Sequence, residues 1–252
     1  MLKTFFMFPL FLPLAEVNRL QYAFQASTFE GKMVIILLLI GSIFSWSVMV
    51  AKLLEVRKAH RSNAQFLKDF RRDPNPLTLF SKPFHYLGSP LFQIFRAGCR
   101  ELAFQKTGST EVDDTFIDRI QSTHKISTTA MNSVKSAMER AVGESALKLE
   151  DKMVLLATAV SGAPFLGLLG TVWGVMDTFT GVAMAGAANL AAMAPGVSGA
   201  LTTTVTGLLV AIPAMFGYNY LVSTIRALTV GMDNFAGELA AALEHHYLEI
   251  RS

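Results

Sequence analysis

Charged residues and cysteines are scarce in this sequence. Lys, Arg, Asp and Glu together make up 16% of its 252 residues, whereas an average soluble domain has about a quarter. The single cysteine, Cys99, excludes a disulfide within the chain and a cysteine-ligated metal site built by one chain, and we interpret it as a small buried hydrophobe. The net charge of +3 says nothing about nucleic acid, because in a membrane protein the positions of Lys and Arg matter more than their total, and we predict no nucleic-acid partner.

Recognisable catalytic patterns are also lacking. The Gly-rich stretch from Gly167 to Gly174 lacks the Gly-Lys-Ser/Thr ending with which a phosphate-binding loop reaches phosphate and Mg²⁺. The five histidines stand in polar surroundings without ligand spacing, which favours structural or solvated roles: His60, His85, His124, His245 and His246. We therefore predict that the chain is not an enzyme and has no cofactor and no metal site.

Charge is missing altogether from long stretches of the chain. No charged residue occurs between Lys152 and Asp177, and none between Asp177 and Arg226. A third uncharged run of 19 residues, 33–51, is dense in Ile, Leu and Val. About 20 apolar residues are enough to cross a bilayer as a helix. The predicted fold class is therefore an all-α membrane protein with three transmembrane helices and long cytoplasmic helical extensions.

Basic residues that follow the first uncharged run fix the predicted orientation. Lys52, Arg57, Lys58 and Arg61 come directly after it, and the positive-inside rule places this side in the cytoplasm. We interpret residues 1–15 as an apolar segment at the membrane interface, with a cleaved signal peptide as the alternative. The expected segments are an N-terminal periplasmic or interfacial segment (1–31), the first span (32–54), a cytoplasmic helical domain (55–151), the second span (152–179), a periplasmic loop (180–195), the third span (196–222) and a cytoplasmic C-terminal helix (223–252).

Helical periodicity continues beyond the third span. Apolar residues recur there in steps of three and four, which predicts one long helix with a buried stripe: Leu221, Ile225, Leu228, Met232, Phe235, Leu239 and Ala242. We also expect the first two membrane helices to extend into the cytoplasm, with shorter helices between them.

Small residues crowd the second and third spans, which is typical of membrane helices that pack closely. Gly170 and Gly174 form a small-xxx-small pair, and Gly167 and Gly207 extend this pattern on the two spans. A proline inside a helix leaves a carbonyl one turn back without its donor, so kinks are predicted where prolines interrupt the two spans: Pro164 and Pro213.

Two threonines, Thr171 and Thr204, are the polar groups that stand out among these small residues. Their hydroxyls could line a water-filled path or bond to another helix. The alternative is that each hydroxyl bonds to the carbonyl one turn back, at Gly167 or Ala200, a common arrangement in membrane helices. Proton paths usually need an ionisable group within the membrane. The one acidic residue of these spans, Asp177, lies at the outer end of the second span, where we expect it to be solvated. A conducting pore would therefore need a carboxylate from another chain.

Several phrases in these spans carry a specific resemblance. They are 163–165 (APF), 167–176 (GLLGTVWGVM), 193–196 (MAPG), 207–208 (GL) and 211–214 (AIPA). With them the sequence resembles MotA/TolQ/ExbB-type proton channel subunits, most of all the Tol-type members and next the ExbB-type members. The resemblance extends in pattern to 43–46 and 232–235, and so covers nearly the whole chain.

The resemblance implies a function that the residues alone do not reach. It implies a homo-oligomeric ring, pentameric in the family, in the bacterial inner membrane, with protons as the coupling ion and no cofactor. A single-span partner of the TolR/ExbD type would supply a membrane aspartate, and Thr171 and Thr204 would face it along the proton path. Proton motive force would become mechanical work, passed to a TolA/TonB-like protein that spans the periplasm.

One departure from the family pattern is Gly199, where close relatives usually have Glu. Additional hydroxyls at Thr202, Thr203 and Thr206 raise the question of sodium in place of protons. Three functions follow as alternatives: a Tol-Pal-like envelope-integrity motor, an ExbB-type energiser of TonB-dependent uptake, and a non-conducting membrane scaffold. Neighbouring genes would separate the first two, and loss of Thr171 or Thr204 without phenotype would favour the third.

Overall fold

The computed structural model describes residues 22, 24, 25, 27–72, 79, 86, 88–108, 125–186 and 189–247. The predicted interfacial segment within residues 1–15 lies outside these residues, as do His85 and His124. The described chain is all-α, as predicted from the sequence. Its five helices are α1 (Phe29–Arg72), α2 (Pro90–Thr107), α3 (Thr128–Glu150), α4 (Met153–Ala185) and α5 (Leu190–Tyr247).

Three of the helices, α1, α4 and α5, are long and apolar enough to cross a membrane. They contain the three uncharged runs on which the prediction of three spans depends. α5 begins at Leu190 and includes Pro195 within its first turns, so this helix starts before the third span predicted from residue 196. It continues through the predicted C-terminal helix without interruption.

The connection between α3 and α4 differs from the expected continuous extension of the second span. α3 ends at Glu150, and Lys152 adopts a left-handed backbone conformation with φ of 63°. Such a conformation is uncommon for a residue with a side chain, and it stops the helical hydrogen-bond ladder. The second span and the helix before it are therefore separate elements.

The chain forms two compact units. The first unit comprises the described parts of residues 1–49 and 152–218, with the most apolar portions of α1, α4 and α5. Its hydrophobic core includes a cluster of four described residues: Leu38, Ala163, Val210 and Ala211. Two of these four residues are alanines, which leaves little distance between the helix backbones.

The second unit comprises the described parts of residues 50–151 and 219–252. Its core is a cluster of rings around the fully buried Phe66, whose centroid lies 5.3–5.9 Å from those of its ring neighbours: Phe70, Tyr86, Phe92, Phe95 and Phe235. Cys99 is also fully buried in this unit, as predicted, and burial raises the pKa of its thiol.

The predicted stripe on α5 is buried along nearly its whole length. Its first six members, from Leu221 to Leu239, are all buried. The last differs, because Ala242 is exposed and Leu243 is buried in its place. Leu239 is followed four residues later by the larger Leu243, which keeps the helical spacing and buries more apolar surface than Ala242 would.

Candidate functional site

Small residues bring the backbones of α4 and α5 into direct contact in the first unit. Gly167 of α4 is buried, and a Cβ atom at this position would lie 2.8 Å from the carbonyl oxygen of Thr203. A Cβ atom on Gly207 of α5 would lie 2.6 Å from the carbonyl oxygen of Ala163. Real Cβ atoms do not approach backbone so closely, so both positions exclude any side chain.

Two further glycines of α4 extend this contact. A Cβ atom on Gly170 would lie 2.7 Å from the Thr203 hydroxyl oxygen, and one on Gly174 would lie 2.8 Å from Ala200 Cβ. All four glycines predicted as packing positions therefore lie where α4 meets α5. Both predicted prolines, Pro164 and Pro213, are half-buried inside their helices, and the kinks stay predictions.

The two predicted threonines lie together at this contact. The Thr171 hydroxyl and the Thr204 hydroxyl form a hydrogen bond in which either can donate. Thr171 Oγ1 is also 3.2 Å from the Gly167 carbonyl on its own helix and 3.0 Å from the Ala200 carbonyl on α5. Thr204 Oγ1 is 3.2 Å from the Gly167 carbonyl on α4. Bonding to the carbonyl one turn back thus holds for Thr171, and both hydroxyls also join the two helices.

A third hydroxyl, that of Thr203, belongs to the same group. Thr203 is fully buried, and its Oγ1 lies 2.8 Å from the Gly167 carbonyl and 2.7 Å from the Ala200 carbonyl. It also lies 3.2 Å from Thr171 Oγ1. We call the three hydroxyls and these two carbonyls the hydroxyl cluster.

The sequence analysis named Thr203 only as one of several additional hydroxyls and did not place it with Thr171 and Thr204. Three consecutive threonines, 202–204, look alike in sequence, and their roles depend on the rotation of α5 about its axis. The four-residue spacing of Gly199, Thr203 and Gly207 was the available signal, because helical residues four apart share a face.

The hydroxyl cluster can relay hydrogen bonds but holds no group that ionises near neutral pH. Threonine hydroxyls donate and accept hydrogen bonds, and backbone carbonyls only accept them. Asp177, the acidic residue of α4, is half-buried nearly two helical turns beyond Thr171. Among the residues that the structure describes, no group of His, Cys, Asp and Glu could hold a metal ion.

Gly199, the departure noted in the sequence, is buried against the segment that precedes α1. The Ser27 hydroxyl donates to the Gly199 carbonyl at 3.2 Å. A Cβ atom on Gly199 would lie 2.7 Å from Ser27 Cα and 2.8 Å from Ser27 N. The space that a glutamate side chain would enter is therefore filled by backbone.

Comparison with known proteins agrees with these features. The model of the MotA/TolQ/ExbB proton channel family matches residues 93–234. The Tol-Pal system protein TolQ of Haemophilus influenzae is 32% identical over 91% of this chain and 95% of its own length. TolQ of Pseudomonas aeruginosa is 32% identical over 84% of this chain and 87% of its own.

A shorter match has higher identity. The biopolymer transport protein ExbB of Xanthomonas campestris pv. campestris is 41% identical over 106 residues, which are 42% of this chain and 42% of that protein. The family match covers more than half of the chain, and the Haemophilus relative covers nearly all of it. This multi-pass membrane chain therefore belongs to the MotA/TolQ/ExbB proton channel family, a family of transport proteins and not of enzymes.

Proposed function

We propose that the chain is the channel subunit of a proton-driven motor that performs mechanical work on the cell envelope. The observation that carries this proposal is the hydroxyl cluster, in which Thr171 and Thr204 meet inside two spans whose one carboxylate, Asp177, lies near the end of the second span. Protons are the coupling ion. Thr171 and Thr204 line the path, and four glycines of α4 and α5 hold the two helices together there.

A partner chain completes the path. Because the membrane interior of this chain lacks a carboxylate, the acid that takes up and releases the proton comes from elsewhere. A single-span partner of the TolR/ExbD type supplies a membrane aspartate that faces the two threonines. Several copies of this chain, five as in the family, surround the partner helices in a ring.

The subunit lies in the bacterial inner membrane with its N-terminus in the periplasm and its C-terminus in the cytoplasm. The basic residues after the first span support this orientation. In it, the second unit is cytoplasmic, and the loop between α4 and α5 is periplasmic. The segment boundaries expected from the sequence are part of this proposed topology.

A Tol-Pal-like role in envelope integrity is the preferred assignment. Two proteins named as Tol-Pal system components match most of the chain and most of their own length. A TolA-like periplasm-spanning protein then transmits the work. The second candidate is an ExbB-type energiser of TonB-dependent uptake, which the 41% identity to ExbB over 106 residues favours. A Tol-Pal or a TonB gene set beside this gene distinguishes the two.

Co-expression with the neighbouring gene product that has one membrane helix and one aspartate tests the proposal. The complex is purified, reconstituted into vesicles, and assayed for dissipation of an imposed pH gradient. Flux is expected to disappear in Thr171→Val and in the partner Asp→Asn variant. Thr158→Val is the matched control, because the Thr158 hydroxyl bonds only the Val154 carbonyl of α4 at 2.9 Å among the described contacts. A ring that forms alone, binds no such partner and shows no flux contradicts the motor and leaves a scaffold.

A further inference from the structure

Thr203 has a place in the hydroxyl cluster that packing alone does not require. Its hydroxyl makes the shortest contacts to both cluster carbonyls, 2.7 Å to Ala200 and 2.8 Å to Gly167. We propose that Thr203 is a positioning residue, which occupies a cluster carbonyl and thereby makes Thr171 and Thr204 bond to each other. This inference rests on the proposed function of these two threonines.

The hydroxyl cluster has more hydrogen-bond donors than backbone acceptors. Each carbonyl oxygen has two lone pairs, and in a helix one of them accepts the backbone N–H four residues later. Gly167 and Ala200 therefore offer the cluster one free lone pair each. Three hydroxyl protons, one from each threonine, compete for these two lone pairs. At least one proton must go to another hydroxyl.

The distances decide how the protons are shared. Thr203 takes one carbonyl, because its contacts to Ala200 and Gly167 are shorter than any that Thr171 or Thr204 makes to them. Thr171 and Thr204 then have one carbonyl between them. One of the two donates to that carbonyl, and the other donates to its neighbour's hydroxyl oxygen, which is a closer acceptor than Thr203 Oγ1, 3.2 Å from Thr171 Oγ1. The hydrogen bond between the two hydroxyls is thus a consequence of Thr203.

Removing the Thr203 hydroxyl releases this constraint. Thr171 can then donate to the Ala200 carbonyl at 3.0 Å, while Thr204 donates to the Gly167 carbonyl at 3.2 Å. Both protons are satisfied on backbone, and the link between the hydroxyls is no longer needed. A proton relay requires that link, since a proton moves along hydroxyls only where each is hydrogen-bonded to the next.

The surroundings fix the Thr203 side chain in this position. Gly170 leaves the space that the side chain fills, because a Cβ atom there would lie 2.7–2.9 Å from three Thr203 side-chain atoms. Gly31 of α1 lies on another side, where a Cβ atom would be 3.7 Å from Thr203 Cγ2. With no exposed surface, the hydroxyl has no competing water partner outside the cluster.

Proton flux per assembled complex tests the inference, measured on this chain reconstituted with its single-span partner. Thr203→Val replaces the hydroxyl with a methyl group, Thr203→Ala removes both the hydroxyl and the methyl group, and Thr203→Ser keeps the hydroxyl and removes the methyl group. Thr206→Val is the matched control, because the Thr206 hydroxyl donates to the Thr202 carbonyl of its own helix at 2.8 Å. Thr204→Val is the reference for lost conduction.

Flux is expected to fall about tenfold in Thr203→Val and Thr203→Ala, the scale of one lost hydrogen bond, and to return in Thr203→Ser. Partner co-purification is expected to match that of Thr206→Val. Full flux in both hydroxyl-free variants, with Thr204→Val inactive, overturns the inference and leaves the proposed function standing. Full flux in Thr204→Val overturns both. A loss that Thr203→Ser does not restore assigns Thr203 to packing and also overturns the inference.

Discussion

Each of the two units of this chain is stabilised internally, but by residues of opposite size. In the first unit, α4 and α5 touch at Gly167, Gly170, Gly174 and Gly207, where no side chain fits between the backbones. In the second unit, the fully buried Phe66 is surrounded by five other aromatic rings. One unit excludes side chains at its central contact, and the other fills its centre with large ones.

The difference follows from the solvent that each unit is suited to. In lipid, burial of an apolar side chain gives little free energy, because the lipid tails are equally apolar. Close backbone approach and hydrogen bonds such as those of the hydroxyl cluster must stabilise the contact. In water, burying a large ring removes apolar surface and contributes a few kcal/mol. The charged helices of the second unit are consistent with an aqueous surface.

Truncation of Phe66 is the largest expected effect. Phe66→Ala removes the ring at the centre of the aromatic cluster and should lower the free energy of unfolding by about 3–5 kcal/mol. Chemical unfolding of the detergent-solubilised protein measures this change. The control is Phe104→Ala in α2, because Phe104 is 44% exposed and should cost much less. Equal losses in the two variants would show that ring burial does not stabilise the second unit.

A single methyl group added in each unit should have unequal effects on stability. Gly167→Ala places Cβ against backbone that cannot move aside, and should cost about 1–3 kcal/mol. Gly98→Ala in the second unit places Cβ 2.9 Å from the sulfur of Met138. That side chain is flexible and can shift, so its cost should stay below about 1 kcal/mol.

Melting temperatures of the two alanine variants, compared with Gly162→Ala, check this expectation. Gly162 of α4 has open space around its Cβ position, so its alanine variant reports the effect of helix propensity alone. The distinction between the two units fails if Gly98→Ala is as destabilising as Gly167→Ala.

Disrupting the contact between Gly199 and Ser27 should have a local effect within the first unit. Gly199→Ala should displace the segment before α1, because Cβ would lie 2.7 Å from Ser27 Cα. In a Ser27→Cys background, maleimide labelling should become several-fold faster, since the residue is only 6% exposed in the native chain. Gly181→Ala, at a position with open space, serves as the control. Unchanged labelling would mean that Ser27 does not rest on Gly199.

The smallest effect is expected for Cys99 and is measured as the rate at which its thiol is labelled. Its thiol is fully buried, and desolvation raises its pKa, so the reactive thiolate is scarce at neutral pH. Labelling of the folded protein should therefore be far slower than labelling after denaturation. Phe66→Ala should accelerate it, because both residues lie in the core of the second unit. Rapid labelling of the native chain would contradict a closed aromatic core.

The three spans and the long final helix could be predicted because their signals are local. Uncharged runs and three- and four-residue periodicity need no knowledge of tertiary structure. The break at Lys152 escaped prediction because no glycine or proline marks it; Lys152 is the only residue other than glycine with positive φ in the described chain.

The candidate site was predicted in part for a similar reason. Thr171 and Thr204 stand out by residue type, and four glycines by their spacing. The role of Thr203 depends on which face of α5 turns toward α4, and sequence alone does not set that rotation. The contact between Ser27 and Gly199 joins residues far apart in the chain, so no local pattern records it.

The decisive measurement of a proton path through the hydroxyl cluster is the proton flux of Thr204→Val, compared with that of Thr206→Val in the same reconstituted complex. The two threonines lie on one helix, but their hydroxyls have different acceptors. The Thr204 hydroxyl donates to the Gly167 carbonyl of α4, and the Thr206 hydroxyl donates to the Thr202 carbonyl of its own helix. Flux is expected to fall to the level of protein-free vesicles in Thr204→Val and to stay at the native level in Thr206→Val. Native flux in Thr204→Val, with an intact complex, would contradict a proton path through the hydroxyl cluster.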